Sequence, residues 1–336
     1  MFFPETYIGA LLLMFLTMLC WGSWANTLKL CPGYRFQLFY WDYALGLAGG
    51  TMFGGLTVGS HGHTGTPFLV DIVQAPVPSI LFAAAGGVIF NIANLLLVAA
   101  IEVAGLAVAF PVGIGLALIV GAVSSYLVRP AGNPFLLFGG VALVTIAILF
   151  DASAYRRREA KAKSKEKVDP TRGIVLSLVA GVLMGTFYPL VAAALRGAKG
   201  VSPVGPYAVA LFFAVGVLLS TIPANLFLMF KPLDGKPPVK FSGYMPAPLS
   251  WHLAGLLGGA IWATGAISNF VASGAHLVGP AVSYSIGQGA TMVSACWGVF
   301  VWREFADAPK AALRALLYMF IFFALGLVAV ALAPLY

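Results

Sequence analysis

Charge is scarce in this chain: 9% of its 336 residues are Asp, Glu, Lys or Arg, against about 25% in an ordinary soluble domain. Together with a content of 60% apolar residues, that excludes a water-soluble enzyme and points to a chain lying mostly within a bilayer. Cysteine is scarcer still. Cys20, Cys31 and Cys296 are odd in number and sit in or beside apolar runs, which excludes a disulfide framework or a CxxC metal site. Basic residues are missing before the first apolar run, where only Met1 to Glu5 stand, so that run is expected to persist as a helix rather than to be cleaved. The motifs of catalysis are missing as well. No HExxH, GxSxG or P-loop pattern occurs, and His61 and His63, with Asp71 nearby, offer too few ligands for a metal. No metal, cofactor or catalytic residue is expected.

What the chain has is hydrophobic length. A spanning helix needs about 20 apolar residues, because a rise of about 1.5 Å per residue must cross about 30 Å of hydrocarbon. Ten segments qualify, at 6 to 29, 36 to 58, 78 to 101, 105 to 128, 134 to 154, 173 to 195, 204 to 230, 250 to 274, 279 to 302 and 311 to 334. They predict an all-α integral membrane protein with ten transmembrane helices. The one long polar run, Arg156 to Arg172, holds eight Lys or Arg among seventeen residues and divides the chain nearly in half. With that linker in the cytoplasm, sixteen of the nineteen basic residues fall on its side, and only Arg129, Arg196 and Lys199 fall opposite. Both termini are therefore expected to be extracytoplasmic, in a multi-pass protein of the cell membrane. The linker reads as a solvated tether against anionic lipid, and since no groove-reading element accompanies it, no nucleic-acid partner is expected.

The chain also repeats itself. Gly105-Leu-Ala-Val-Ala-Phe-Pro-Val-Gly-Ile-Gly115 aligns with Gly279-Pro-Ala-Val-Ser-Tyr-Ser-Ile-Gly-Gln-Gly289, Gly86-Gly87 with Gly258-Gly259, Phe90 with Trp262, and Gly22-Ser23-Trp24 with Gly185-Thr186-Phe187. Five helices per copy is an odd number, so the second copy enters the membrane from the opposite face. Residues 1–155 and 173–336 are thus expected to form two inverted five-helix repeats joined by the linker 156–172. Inverted repeats suit a transporter whose site lies near the midplane.

Polar side chains deep in a bilayer are costly unless satisfied, which makes the few that occur informative. Asn91 and Asn94 share one face of the third span, Tyr284, Gln288 and Thr291 one stripe of the ninth, and Trp262 and Asn269 the eighth. Trp21, Trp24 and Tyr188 add aromatic faces, and amides beside such faces suit a small, uncharged, hydrogen-bonding solute. Pro111 with Gly113, and Gly287 in the second copy, mark expected helix interruptions lining a central cavity. Gly46, Gly50, Gly54, Gly255 and Gly259 read as close-packing faces. Asp42 is the one intramembrane acid. It carries either a coupling proton or an interfacial salt bridge to Lys29 or Arg35. Glu102, Asp151, Glu304, His252 and His276 fall at helix ends, where snorkelling and ion pairing account for them.

Trp21-Gly-Ser-Trp24, Tyr40-Trp-Asp-Tyr43, Phe82-Ala-Ala-Ala-Gly-Gly87 with Asn91 and Asn94, Gly105-Leu-Ala-Val108, Ala254-Gly-Leu-Leu-Gly258, Trp297-Gly298 and Glu304 occur in an order and spacing that resemble the drug/metabolite transporter superfamily. Within it the chain looks most like the ureide permeases and the related glucose/ribose porter and rhamnose transporter families. The resemblance implies ten helices from a five-plus-five inverted duplication and transport of a small neutral metabolite. One branch takes ureides and nucleobases such as allantoin, usually with a proton, and the other monosaccharides. The ureide permeases carry an acidic residue where this chain has Phe110-Pro111, and Trp21, Trp24 and Trp262 suit stacking on a sugar. A monosaccharide is therefore the favoured solute. Two other readings stand beside it: an exporter of lipophilic cations, and a membrane-embedded enzyme or scaffold using His61 and His63 or the basic linker.

Overall fold

A computed structural model describes residues 1–162, 170–197, 202–233, 235–275 and 277–336, and the described residues contain helices and no strand. Linker residues 163–169, together with Lys199 and His276, lie outside the described residues. The elements are α1 (Tyr7–Ser23), continued by a 3-10 segment (Trp24–Leu30), α2 (Phe36–Leu56), α3 (Phe68–Gln74), α4 (Val77–Ala104), α5 (Leu106–Val128), α6 (Pro134–Ala162), α7 (Pro170–Arg196), α8 (Pro206–Phe230), α9 (Leu249–Gly274), α10 (Pro280–Gly287), α11 (Ala290–Cys296), a π-helical segment (Trp297–Val301) and α12 (Lys310–Leu332).

Eight of these stretches are long and apolar enough to cross a membrane: α1 with its extension, α4 to α9, and α12. α2 has the length, at 21 residues, but Gln37, Tyr40, Trp41, Asp42 and Tyr43 dilute its first half. Residues 280 to 301 are divided among three short helical pieces. Two features depart from the sequence reading. α6 runs on to Ala162, beyond the apolar pattern, because the Arg, Glu, Ala and Lys that follow are good helix formers. α3 was not foreseen; at 7 residues it is too short to span, and its Phe68 is buried against Gly55.

One residue makes the corner between α4 and α5. Gly105 adopts φ +77°, a conformation glycine enters freely, and it caps one helix while starting the next. The interruption expected at Pro111 and Gly113 is absent, because α5 is continuous from Leu106 to Val128. Pro111 lies near the helix start, where a missing N–H deprives only one nearby carbonyl, so the helix is held together by its packing. In the second copy the chain does leave the helix, after Gly287.

The interior is built from close approaches. α2 packs on α9 and α8 on α4, and in both pairs glycines let backbones meet. A side chain on Gly46 would overlap the Leu256 carbonyl, and one on Gly216 the Ala84 carbonyl; Gly259 and Gly87 stand in the same way against the Tyr43 and Phe213 carbonyls. α4 and α5 both pack on α7, α1 on α9, and α6 on α12. At the end where α6 finishes, Glu304 gathers Lys29 and Arg158, the latter at 2.9 Å, and Trp302 Nε1 donates to Asn26 Oδ1 at 2.6 Å. At the other end the Met1 ammonium donates to the Thr64 carbonyl at 2.8 Å, and the Gly205 N–H to Asp71 Oδ2 at 2.8 Å.

Candidate functional site

A cavity of about 370 Å³ runs from the middle of the bundle towards the end where α6 finishes. Its walls come from the last turns of α1 and its extension, the start of α2, the later half of α4, the start of α5, the middle of α7 and α9, and α11. Glu102, exposed, lies on its rim with Leu28 and Phe36. The wall is mainly aromatic and aliphatic, with a few polar groups placed along it, as small-molecule sites usually are.

Asn94 is oriented from behind. Its Nδ2 donates to Tyr40 Oη at 3.1 Å, Tyr40 in turn donates to Asn91 Oδ1 at 2.8 Å, and Asn91 Nδ2 donates to Ser220 Oγ at 2.9 Å. Thr221 adds a bond to Asn91 Oδ1 at 3.3 Å, so the relay is anchored on α8. Asn94 Oδ1 is left for the cavity. Gln288 sits where α10 gives way to α11, and its side-chain amide makes no hydrogen bond among the described residues. Thr291 and Ser294 follow it along the same wall at steps of three residues.

Much of the rest of the wall is aromatic. Trp21 Nε1 is buried with no hydrogen-bond partner among the described residues, and its ring stacks on Trp262 at 5.5 Å and 15°. Trp262 stacks on Phe213 at 5.5 Å and packs on Phe90 at 4.4 Å, which makes a continuous aromatic wall. Glycines cradle Trp21: a Cβ on Gly265 would come within 2.7 Å of its Cδ1, and one on Gly287 within 2.9 Å of its Cζ3. Trp24 also faces the cavity and packs on Tyr43 at 4.6 Å. The buried Trp21 Nε1 lies within 2.9 Å of where a Gly265 Cβ would stand, so it faces α9 and the indole offers the cavity its ring rather than its N–H.

The structure divides the residues singled out from the sequence. Trp21, Trp24, Asn94, Trp262 and Gln288 line the cavity. Asn91, Tyr188, Asn269 and Tyr284 do not: they are buried ties between helices. Tyr188 Oη donates to Asn269 Oδ1, Asn269 Nδ2 to the Ser283 carbonyl at 3.0 Å, and Ser283 Oγ to the Asn269 carbonyl at 3.1 Å. Tyr284 Oη donates to the Ala117 carbonyl at 3.1 Å and the Met184 carbonyl at 3.4 Å, which ties α10 to the middle of α5 and α7 behind the inner end of the cavity. Asp42 also lies outside the cavity. Its partners are Tyr244 Oη at 2.6 Å and His252 Nδ1 at 2.8 Å rather than Lys29 or Arg35, because Lys29 is taken by Glu304. Pro111 is not on the wall, but its neighbour Phe110 is.

Sequence reasoning placed Glu102 at a helix end, where it is, without foreseeing the rim. Ser294 was missed, although Gln288, Thr291 and Ser294 at steps of three would have flagged one face. His61 and His63 lie in an exposed loop, and the described residues contain no group of three potential metal ligands.

Long apolar helices enclosing a cavity that starts at mid-bundle define a multi-pass helical membrane protein. Residues 39–172 match the family model of the ureide permeases. Over 96% of both chains the sequence is 23% identical to ureide permease 1 and, equally, to ureide permease 2 of Arabidopsis thaliana. It is also 23% identical to ureide permease 5 of that organism, across 95% of this chain and 92% of the relative. A solved crystal structure, 17% identical, shares the fold with a TM-score of 0.63 over 95% of this chain and 96% of its own. The chain is thus similar to the ureide permeases over 96% of its length.

Proposed function

We propose that this chain is a secondary transporter, not an enzyme, that carries a ureide such as allantoin across the cell membrane by alternating access. The observation that carries the proposal is the convergence of Asn94 and the Gln288 amide on one cavity whose walls are the flat rings of Trp21, Trp24 and Trp262. A ureide offers N–H donors and urea carbonyls on a compact, uncharged frame. Amide side chains complement both edges, and the Trp21 and Trp262 rings cover a planar face. Ureide transport is preferred to the monosaccharide that the sequence favoured, because the full-length relatives are named ureide permeases. No carboxylate stands at the centre of the cavity to hold a lipophilic cation.

In this reading α2 and the broken run from α10 through the π segment are two further spans, giving ten. Residues 1–155 and 173–336 are then inverted repeats about the linker 156–172. Paired glycine contacts support the symmetry: Gly46 on Leu256 mirrors Gly216 on Ala84, and Gly259 on Tyr43 mirrors Gly87 on Phe213. The basic linker lies in the cytoplasm against anionic lipid, both termini outside, and the cavity opens inward. A proton, if coupled, uses Asp42 and its partner His252 rather than the solute site. Stabilisation of the purified protein by allantoin, lost in Asn94→Ala and Gln288→Ala, is the expected result of a thermal-shift titration. Stabilisation by glucose or ribose alone would replace the ureide with a sugar.

A further inference from the structure

The hydrogen bonds behind Asn94 have a direction, and counting protons fixes it. Ser220 lies within α8, and its Oγ donates to the Gly216 carbonyl at 2.7 Å, one turn back in the same helix. A carbonyl has no proton to give, so the single hydroxyl proton of Ser220 is committed there. At Asn91, 2.9 Å away, Ser220 can then only accept, which turns the Asn91 Nδ2 towards α8 and its Oδ1 towards Tyr40. Tyr40 Oη directs its one proton to that oxygen at 2.8 Å. It is left to accept from Asn94 at 3.1 Å, so the Asn94 Nδ2 points back into the bundle and its Oδ1 forward. Thr221 Oγ1 is farther from Asn91, at 3.3 Å, and lies 2.8 Å from the Val217 carbonyl, so Ser220 rather than Thr221 sets the direction.

Burial makes that direction hard to reverse. Tyr40 and Asn91 are fully buried and Asn94 nearly so. Turning any one member round would set two lone pairs or two protons against each other where the dielectric is low. Gln288 has no such anchor, because its side-chain amide makes no hydrogen bond among the described residues, and it turns to suit the group it meets. We propose that Ser220, Asn91 and Tyr40 form a polarity relay that presents Asn94 to the cavity as an acceptor only, so that the solute must bring an N–H or O–H to that point. Tyr40 is then a positioning residue and Ser220 the origin of the specificity, and neither lines the cavity. The inference rests on the reading of this cavity as the solute site. A site built to meet a donor rejects an analogue that lacks one, because its own acceptor is then left buried and unpaired.

The test measures the affinity of the purified full-length protein for two pairs of probes by titration calorimetry. Hydantoin, the ring of allantoin, is compared with N,N′-dimethylhydantoin, and glucose with its fully methylated ether. Methylation removes every N–H or O–H donor and keeps the acceptor oxygens. The unaltered protein is expected to prefer the donor-bearing member of a pair by at least about tenfold. Methyl groups also add bulk, and Tyr40→Phe separates the two causes: it leaves the cavity wall as it is and frees the Asn94 amide to turn, so the preference is expected to shrink by about threefold or more. A merely structural role would weaken both members alike and leave their ratio unchanged. Ser220→Ala is expected to shrink the ratio as well, and Ser220→Thr, which keeps the hydroxyl, to preserve it. Equal binding of both members by the unaltered protein overturns the proposal, as does a ratio unmoved by Tyr40→Phe and Ser220→Ala. Hydantoin preferred whatever the relay carries removes the relay and keeps the ureide reading. A relay-dependent preference in the glucose pair alone keeps the relay and removes the ureide. Binding of none of the four probes overturns both.

Discussion

The ring of Tyr284 fills the space that any side chain on Gly121 would need: a Cβ there would come within 2.5 Å of its Cζ and closer to Cε1. That contact, with the two carbonyl bonds of the Tyr284 hydroxyl, closes the bundle behind the inner, mid-bundle end of the cavity. Gly121→Ala is expected to reduce transport at least tenfold, with stability down by about 1–3 kcal/mol from overpacking. Uptake by reconstituted protein and the melting temperature check the two effects separately.

Tyr284 aligns with Phe110, which lines the open cavity and has no hydroxyl. The closed region behind the cavity therefore has a hydrogen-bonded lock that its counterpart lacks. Tyr284→Phe removes the lock and is expected to shift the population away from the form with the cavity open at the α6 end. A single cysteine introduced at Ser294 reads this out, as slower alkylation than in the unaltered background.

Trp21→Phe separates recognition from packing. It keeps an aromatic ring against Trp262 and deletes an N–H that has no partner among the described residues. Solute affinity is expected to fall because the smaller ring offers the solute less stacking area, while Tm holds or rises because an unpaired buried N–H is removed. A drop in Tm with unchanged affinity would assign Trp21 to packing alone.

Asp42→Asn removes the charge held by Tyr244 and His252. Weakening these buried hydrogen bonds is expected to destabilise the protein by about 1–3 kcal/mol, while solute binding, read by titration calorimetry, stays the same. Loss of proton-driven accumulation with equilibrium exchange retained would identify this pair as the coupling group.

Acid is expected to loosen the cluster at the cavity end. Burial raises the Glu304 pKa, but Lys29 and Arg158 outweigh it, so the carboxyl titrates below its ordinary value. A depressed carboxylate pKa contributes stability above the unfolded value, and that contribution is lost as the pH falls through the folded one. Solvent reaches the cluster, so Glu304→Gln is expected to lower stability by no more than about 1 kcal/mol at neutral pH and to flatten the acid limb of a Tm against pH profile.

Much of the bundle was legible because hydrophobic length and charge asymmetry act over twenty residues at a time. The span ends from α4 to α9 fall within a few residues of the structure, apart from the helical extensions beside the linker. Five of the nine residues singled out from the sequence as solute contacts line the cavity, and for a similar reason: Asn94, Gln288, Trp21, Trp24 and Trp262 are unusual residues at mid-depth. Asn91, Tyr188, Asn269 and Tyr284 are equally unusual there, and no spacing rule tells an amide facing a cavity from one facing a neighbouring helix. The partner decides, and the partners lie far off in sequence: Tyr40 for Asn91, Ala117 and Met184 for Tyr284. Pro111 misled because its effect depends on how near the helix start it falls, and Asp42 because Tyr244 and His252 are about two hundred residues away along the chain.

The central claim is that Asn94, Gln288 and Trp21 hold a ureide in a cavity open to one side of the membrane at a time. Counterflow of labelled allantoin into proteoliposomes loaded with unlabelled allantoin tests it most directly. The account predicts counterflow by the unaltered protein, reduced at least tenfold in Asn94→Ala and Gln288→Ala and retained in Asp42→Asn. No allantoin counterflow by folded protein, or counterflow unaffected by both amide substitutions, would contradict it.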